Sequence, residues 1–411
     1  MRKIFLSIGL LAGFAALFLI VAPRQKITSD KAETFNEFLT AIIEEAAIPG
    51  LAIAIVHENE ISLLEGFGYA DVESDRLMTP ETPMNIASIS KPILGIVLLQ
   101  LKDRGLIDLD TDINTYLSYQ IDNPHFEGET ITLRNLATHT SGIGDWYDVE
   151  FYEIGADSEV LLNDHLRSQL TPGGALYEGG VNYLATLPGT ARAYSNIGAG
   201  VAGAVAESVG NGSLNELANA GVFAPLGMTS SSWVLSDFAP DELATRYEVR
   251  QCIPYIGYCA TSRQNVINFL IGKVFNPSAS FNTFEPYPQF GNPNYPDGGV
   301  NASVHDLAKL TLSLLDGGKY EGGSLLSSES FDEMLKLQLP SDVSTRQRFF
   351  WRDRYDLTGH AGSDLGVFTS LYFDTNEGNA VIVLMNRSPD SEVISAMDQI
   401  IERAKMSFEE Q

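Results

Sequence analysis

The sequence predicts an α+β protein: one antiparallel sheet assembled from both ends of the chain, flanked by terminal helices, with a mostly helical lobe inserted between the sheet's halves. Three observations predict it. Strand-like apolar runs lie near both ends, "LAIAIV" (51–56) and "ISLLEGFGYA" (61–70) at one, "VFTSLYF" (367–373) and "AVIVLMN" (380–386) at the other. Each end also carries a helix with one apolar face. The stretch between, about 88 to 330, is helical and loop-rich.

The elements follow in order. "MRK" precedes nineteen uncharged residues, "IFLSIGLLAGFAALFLIVA" (4–22). A signal-peptide core takes about 7–15 residues and a spanning helix about 20. Pro23 follows Ala22 with no small-x-small cleavage pattern, so an uncleaved membrane anchor is the first reading and a cleaved signal the second. Either exports the rest of the chain to a periplasm or cell envelope, or secretes it. Residues 1–31 therefore read as anchor and linker. Residues 32–400 read as one domain, with a sheet lobe at about 32–87 and 331–406 and a helical lobe at about 88–330. Phe35, Phe38, Leu39, Ile42, Ile43 and Ala46 define the first helix, with Ser29 or Asp30 as its cap and Pro49-Gly50 as its stop. "HENE" and "DTNEGN" are the turns between the strand pairs. The last helix presents Val393, Ile394, Met397, Ile400, Ile401 and Ala404, with Ser391 as cap.

Composition narrows the function. The net charge of −27 over 411 residues would repel phosphates, which excludes nucleic acid as a partner. A 44% hydrophobic content is enough for a sizeable core. The two cysteines, Cys252 and Cys259, have six residues between them in "CIPYIGYC". In an exported chain they suit a local disulfide; two free thiols are the alternative, and zinc lacks nearby histidines. Residues 240–297 are rich in Tyr, Phe, Pro and Asn and read as a long structured excursion over a site.

"IASISKP" (86–92) carries the chemistry. A helix starting at Ser88 places Pro92 in the first turn, where its missing N–H costs little. The helix runs on through "ILGIVLLQL" to Gly105, apolar on all sides and hence buried. Ser88 and Lys91 are i and i+3 and share a face, whereas Ser90 points elsewhere. A serine needs a base to become a nucleophile, and a lysine in a poorly solvated place can serve as one. A helix N-terminus favours developing negative charge. Ser-x-x-Lys alone arises by chance about once in a chain of this length, so the assignment needs company.

The company is "YSN" (194–196) and "HAG" (360–362) just before a strand. Ser-x-x-Lys, Tyr-Ser-Asn and His-x-Gly, in this order, resemble the serine β-lactamase and penicillin-binding-protein family, and within it the class C β-lactamase-related branch. "LRNLATHTSGI" (133–143), "LPGTARAYSN" (187–196), "LGMTSSSW" (226–233) and "YPDGGVNASVHDLAKL" (295–310) resemble further signatures of that branch, over about residues 32 to 400. The resemblance implies the β-lactamase/D,D-peptidase-like fold and a set of roles. Ser88 would form the acyl-enzyme, with Lys91 as its base partner. Tyr194 would share the proton transfer, and Asn196 would bind substrate. His360 would stand where the family has lysine. The backbone N–H groups of Ser88 and Ser363 would form the oxyanion hole, and Gly362 would let substrate approach along a strand edge. No cofactor and no metal are called for.

Other patterns are set aside. "GAGVAG" (198–203) fits a dinucleotide glycine pattern, but no strand precedes it; its small residues suit close helix packing. "DLDTDIN" (108–114) lacks the central Gly and distal Glu of a calcium loop. His139 in "THTSG" reads as structural. His360 in place of lysine gives a cation that is only partly charged near neutral pH. That weakens β-lactam hydrolysis and favours an esterase or a D-amino-acid or D,D-peptidase acting on a small ester, amide or peptide. β-Lactamase activity is the alternative, and a non-catalytic penicillin-binding or sensor protein is a third reading.

Overall fold

In the computed structural model, which describes residues 29, 32, 34–146, 151–253, 258–261 and 283–409, the two ends of the chain meet in one sheet. The N-terminal part supplies helix α1 (Phe35–Glu45) and strands β1 (Gly50–His57), β2 (Glu60–Asp71) and β3 (Arg76–Leu77). The middle supplies helices α2 (Ser90–Asp103) and α3 (Asn196–Gly210), strands β4 (Arg246–Ile253), β5 (Tyr258–Thr261) and β6 (Thr283–Tyr287), and helices α4 (Val304–Leu315) and α5 (Ser328–Leu335). The C-terminal part supplies β7 (Arg352–Arg354), β8 (Leu357–Asp364), β9 (Val367–Asp374), β10 (Asn379–Met385) and α6 (Ser391–Glu409). The seven-stranded sheet runs β7-β8-β9-β10-β1-β2-β3. Its centre is the antiparallel β1–β10 pair, Leu51 opposite Met385 through Val56 opposite Ala380.

Both faces of that pair are buried, and the strand period of two divides the side chains between them. Leu51, Ile53 and Ile55, with Val381, Val383 and Met385, pack under α1 and α6. Ala52, Ala54 and Val56, with Ile382 and Leu384, face the larger core that also holds α2. Fully burying each such side chain contributes about 1.5–3 kcal/mol for a Leu, Ile or Val.

Two expected caps move. Thr34 caps α1 and forms a capping box with Glu37. Ser29 instead binds Glu45 at the other end of the same helix, and Asp30 lies outside the described residues. At α6 the carboxylate of Asp390, not Ser391, accepts from the N–H groups of Glu392 and Val393.

The lobe boundaries move as well. Helix α4 packs on β1 and β10 and so belongs with the sheet. Helix α5 packs on α2, and Phe349 and Phe350 lie against Gly95 of α2, so the helical lobe takes chain up to about residue 350. The aromatic excursion contains a three-stranded sheet, β5-β4-β6, which the Pro- and Asn-rich composition hides. Cys252 and Cys259 are directly opposed on β4 and β5; their side chains, and so the disulfide, lie outside the described residues. The N-terminal apolar run also lies outside them. Among the described residues no helix is long and apolar enough to cross a membrane.

Candidate active site

The turn before α2 is bound on every side. Residues 84–85 pair with 301–302 as a short bridge. Asn85 donates to the carbonyls of Gly298 and Val300 and accepts from Ala87 N. Ala87 takes a positive φ of 48°, uncommon for a residue with a side chain, and a single 3-10 turn, Ala87–Ile89, leads into the helix. The regular helix therefore begins at Ser90, two residues later than the pattern suggests.

No side chain caps this entry, so the Ser88 hydroxyl is free for other partners. It accepts from Lys91 Nζ at 3.0 Å and from the Tyr194 hydroxyl at 2.9 Å. Ser90 is buried: it donates to Ala87 O at 2.7 Å and accepts from Val300 N at 3.0 Å. The two serines thus divide as the helical spacing requires, one toward Lys91 and one into the scaffold.

Lys91 is fully buried. An uncompensated ammonium there would be costly, and three acceptors meet its three donors. These are Ser88 Oγ, Asn196 Oδ1 at 2.7 Å and the Asp297 carbonyl at 2.5 Å. The Tyr194 ring lies 4.9 Å from Nζ.

Tyr194 and Asn196 flank Ser195, whose hydroxyl caps α3 by accepting from Gly198 N at 2.8 Å. Cβ atoms at Gly200 and Gly203 would collide with Asn294 and Pro296. The small residues of "GAGVAG" thus admit the turn that carries Asp297 O to Lys91, rather than another helix. Asn196 is held inside the protein: Oδ1 accepts from Lys91, and Nδ2 donates to Asp145 Oδ2 at 2.9 Å. Asp145 Oδ1 also accepts from the N–H groups of Asn196 and Ile197, at the start of α3. Asp145 is a site residue the sequence reasoning missed. The only signal is an acidic residue shortly after "HTSG", 51 positions before its partner.

The third motif lies on β8. Strand β7 pairs with β8 only as far as Gly359, so from His360 onward that edge borders the cavity. A Cβ at Gly362 would strike Ile86 O and Thr369 Oγ1 and crowd Ala87. Gly362 therefore admits the turn that carries Ser88. Thr369 Oγ1 donates to Ile86 O at 2.8 Å and ties the same elements together. Ser363, next along β8, lines the cavity with Ser88.

His360 is half-buried, and burial, then the Lys91 charge, push its pKa down to about 3. It is neutral near pH 7, which corrects the expectation of a partly charged imidazole. His139 is buried, with its ring 4.3 Å from that of Tyr194; burial, then Lys91, hold its pKa well below the usual histidine range. The Ser195 N–H contacts its Nδ1 at 3.3 Å.

Ser88, Tyr194, Asn196, His360 and Ser363 open onto one cavity of about 890 Å³. On the far side Tyr152 stacks on Phe290 at 4.7 Å, and the buried Arg246 guanidinium lies 4.6 Å over the Phe290 ring. Among the described aromatic residues of the excursion, Phe290 and Tyr295 line the cavity, with Arg246, Gly291, Asn292 and Asp297 beside them.

The family profile described as Beta-lactamase matches residues 35–405. Among curated relatives, Protein flp of Staphylococcus aureus (strain N315) is 26% identical over 231 residues, which cover 56% of this chain and 44% of that protein. The match thus spans less than half the length of that relative. Among solved structures, a penicillin-binding protein from Bacillus halodurans superposes with a TM-score of 0.62 at 21% identity, over 88% of this chain and 98% of that one. EstCE1, a hydrolase with promiscuous acyltransferase activity, superposes with a TM-score of 0.57 at 19% identity, over 86% and 94%. At these identities the structural likeness is one of fold.

Proposed function

Because the chain belongs to the Beta-lactamase family, whose members include penicillin-binding proteins, esterases and D-Ala carboxypeptidases, we propose that it is an exported serine hydrolase working through an acyl-enzyme on Ser88. Its substrates are small esters or D-amino-acyl amides and peptides. The observation that carries this reading is the Ser88 hydroxyl held between Lys91 Nζ and Tyr194 OH at the wall of the cavity.

Ser88 Oγ attacks the substrate carbonyl carbon as its proton passes to the Lys91–Tyr194 pair, which must enter the step holding one proton fewer than its full complement. The carbonyl oxygen gains the negative charge and is met by the Ser88 and Ser363 N–H groups. Collapse breaks the bond to the leaving group, which receives the proton through Tyr194. Water then repeats the cycle on the acyl-enzyme and frees the acid. Asn196 acts by holding Lys91 in place, and Asp145 acts by holding Asn196.

A neutral His360 offers no fixed charge for the carboxylate of a β-lactam, which favours the reading of esters and D-amino-acyl substrates. The test compares kcat/KM for p-nitrophenyl butyrate and nitrocefin in one preparation, with a His360→Lys variant alongside. The ester should be preferred, and the variant should shift the ratio toward nitrocefin. A tenfold preference of the wild type for nitrocefin would replace this reading with β-lactamase.

A further inference from the structure

Tyr194 belongs to no helix and no strand: residues 191–195 are irregular, and α3 begins only at Asn196. Yet its hydroxyl must stay at 2.9 Å from Ser88 Oγ for the proposed proton transfer. The chain on both sides of it is held by one residue. The N–H before it, of Ala193, donates to the His139 carbonyl at 2.8 Å. The N–H after it, of Ser195, donates to His139 Nδ1 at 3.3 Å. Beside those two bonds the imidazole lies against the phenol ring, 4.3 Å between centroids at 32°.

His139 is itself fixed. It follows the short helix Leu133–Ala137, its N–H donates to Leu136 O at 3.1 Å, and Phe350 packs edge-on to its ring at 6.1 Å. Its φ is +57°, in the left-handed region. Histidine enters that region more readily than most side chains, but at a cost, and such outliers gather where function needs a set geometry. The turn presents the carbonyl and the imidazole of one residue to the same stretch of chain. Nδ1 can accept only in a neutral ring with its proton on Nε2, and burial, then Lys91, keeps the ring neutral. His360 makes a useful contrast. Its Nδ1 bonds to Ala361 O on its own strand at 2.7 Å, and its ring stands 6.4 Å from that of Tyr194. A phenyl ring at position 139 would fill the same space as the imidazole, but it would leave the Ser195 N–H without an acceptor.

We infer that His139 is the positioning residue for Tyr194, clamping residues 193–195 through its carbonyl and its neutral imidazole so that the phenol hydroxyl stays on Ser88 Oγ. This deepens the proposed function and rests on it. His139 does not line the reaction cavity, so it acts through Tyr194 and not on substrate.

The experiment compares His139→Gly and His139→Asn on p-nitrophenyl butyrate, since both residues tolerate a left-handed φ. Glycine keeps only the backbone carbonyl, whereas asparagine restores a side-chain acceptor. His139→Gly should lower kcat at least about tenfold and move KM less than about twofold, because misplacing a catalytic group by about 1 Å can cost about 10²-fold. His139→Asn should recover to within about threefold of wild type. In a Tyr194→Phe background there is no hydroxyl left to position, so His139→Gly should cost less than about twofold further. Amide hydrogen exchange of the peptide that carries Ser195 should be faster in His139→Gly than in the wild type or His139→Asn. If the glycine protein does not fold, His139→Phe, which keeps the ring and lacks the acceptor, takes its place under the same expectations. A rise in KM with kcat intact, an asparagine variant no better than glycine, or full additivity with Tyr194→Phe overturns the inference. Unchanged exchange at Ser195 beside normal wild-type turnover sinks the inference alone. A wild type that turns over no ester, whatever its exchange pattern, sinks the proposed function and the inference with it.

Discussion

The two ends of the reaction site are built in opposite ways. The helix-borne end, Ser88, Lys91, Tyr194 and Asn196, is closed by its own hydrogen bonds: Lys91 has three acceptors, and Asn196 is committed to Lys91 and Asp145. The strand-borne end, His360 to Ser363, presents an edge beyond the reach of β7 and a neutral imidazole. A network saturated from within fixes the proton chemistry and leaves little room for change. An open edge with no charge of its own leaves selectivity to whatever surrounds it. On the proposed function, the first end would set the rate and the second the choice of substrate.

The largest effect should come from the first end. Ser88→Ala should lower turnover at least about 10³-fold with no loss in melting temperature, as expected when a nucleophile is removed from a site that is otherwise intact. Ser90→Ala should act the other way round. It leaves Val300 N without its partner, which costs about 1–3 kcal/mol of stability, with a much smaller fall in kcat. A reversal of the two would mean that the helix is in the wrong register.

Next come Tyr194→Phe and Lys91→Met. Each should reduce kcat about 10²–10⁴-fold, the range typical of general acid–base catalysis. Near-normal turnover in both would dissolve the assigned relay. Asp145→Asn should be milder, because one oxygen still accepts at the start of α3. As a positioning residue acting through Asn196 and Lys91, it should lower kcat about tenfold and move KM little. A KM effect alone would place Asp145 in substrate binding.

The smallest effect is on stability against pH, and it belongs to the two neutral histidines. The folded-state pKa of His139 and of His360 lies below the unfolded value near 6.5, so the unfolded chain binds more protons as pH falls through that point. Stability is therefore fully present above about pH 6.5 and declines toward the folded values. Thermal melts should show Tm dropping between pH 6.5 and 4, with a smaller drop in His139→Asn. An equal drop in that variant would remove His139 from the explanation.

These predictions follow the division between what the sequence made legible and what it did not. Four of the seven sheet strands were readable as short apolar runs bounded by turns, and the terminal helices by a period near 3.6; β3, β7 and β8 were not, and the His360 motif lies on β8 rather than before a strand. The Ser88–Lys91 contact was readable because i,i+3 spacing on a helix is local geometry. Thr34 and Asp390 were misplaced as caps by a few residues, since several polar residues precede each helix and only the backbone turn selects one. Strands β4 to β6 went unread because they lie in a stretch broken by Pro254 and Pro286, although β4 and β5 themselves hold neither proline nor asparagine. Asp145 was illegible for a different reason. Its partners are distant in sequence, and no local pattern marks a side chain whose role is set by tertiary approach. The part played by Gly362 was misread because a glycine on a strand edge suits a close neighbour of either kind, and only the fold showed that Ile86 fills the space.

The central claim is that Ser88, and not its neighbour Ser90, is an activated nucleophile. The most direct measurement is to treat the intact protein with a fluorophosphonate and locate the adduct by peptide mass spectrometry. Stoichiometric modification of Ser88, absent in Ser88→Ala and slowed at least about 100-fold in Lys91→Met, is the predicted result. An adduct on Ser90 or on another serine, or no adduct on a folded protein, would contradict the account.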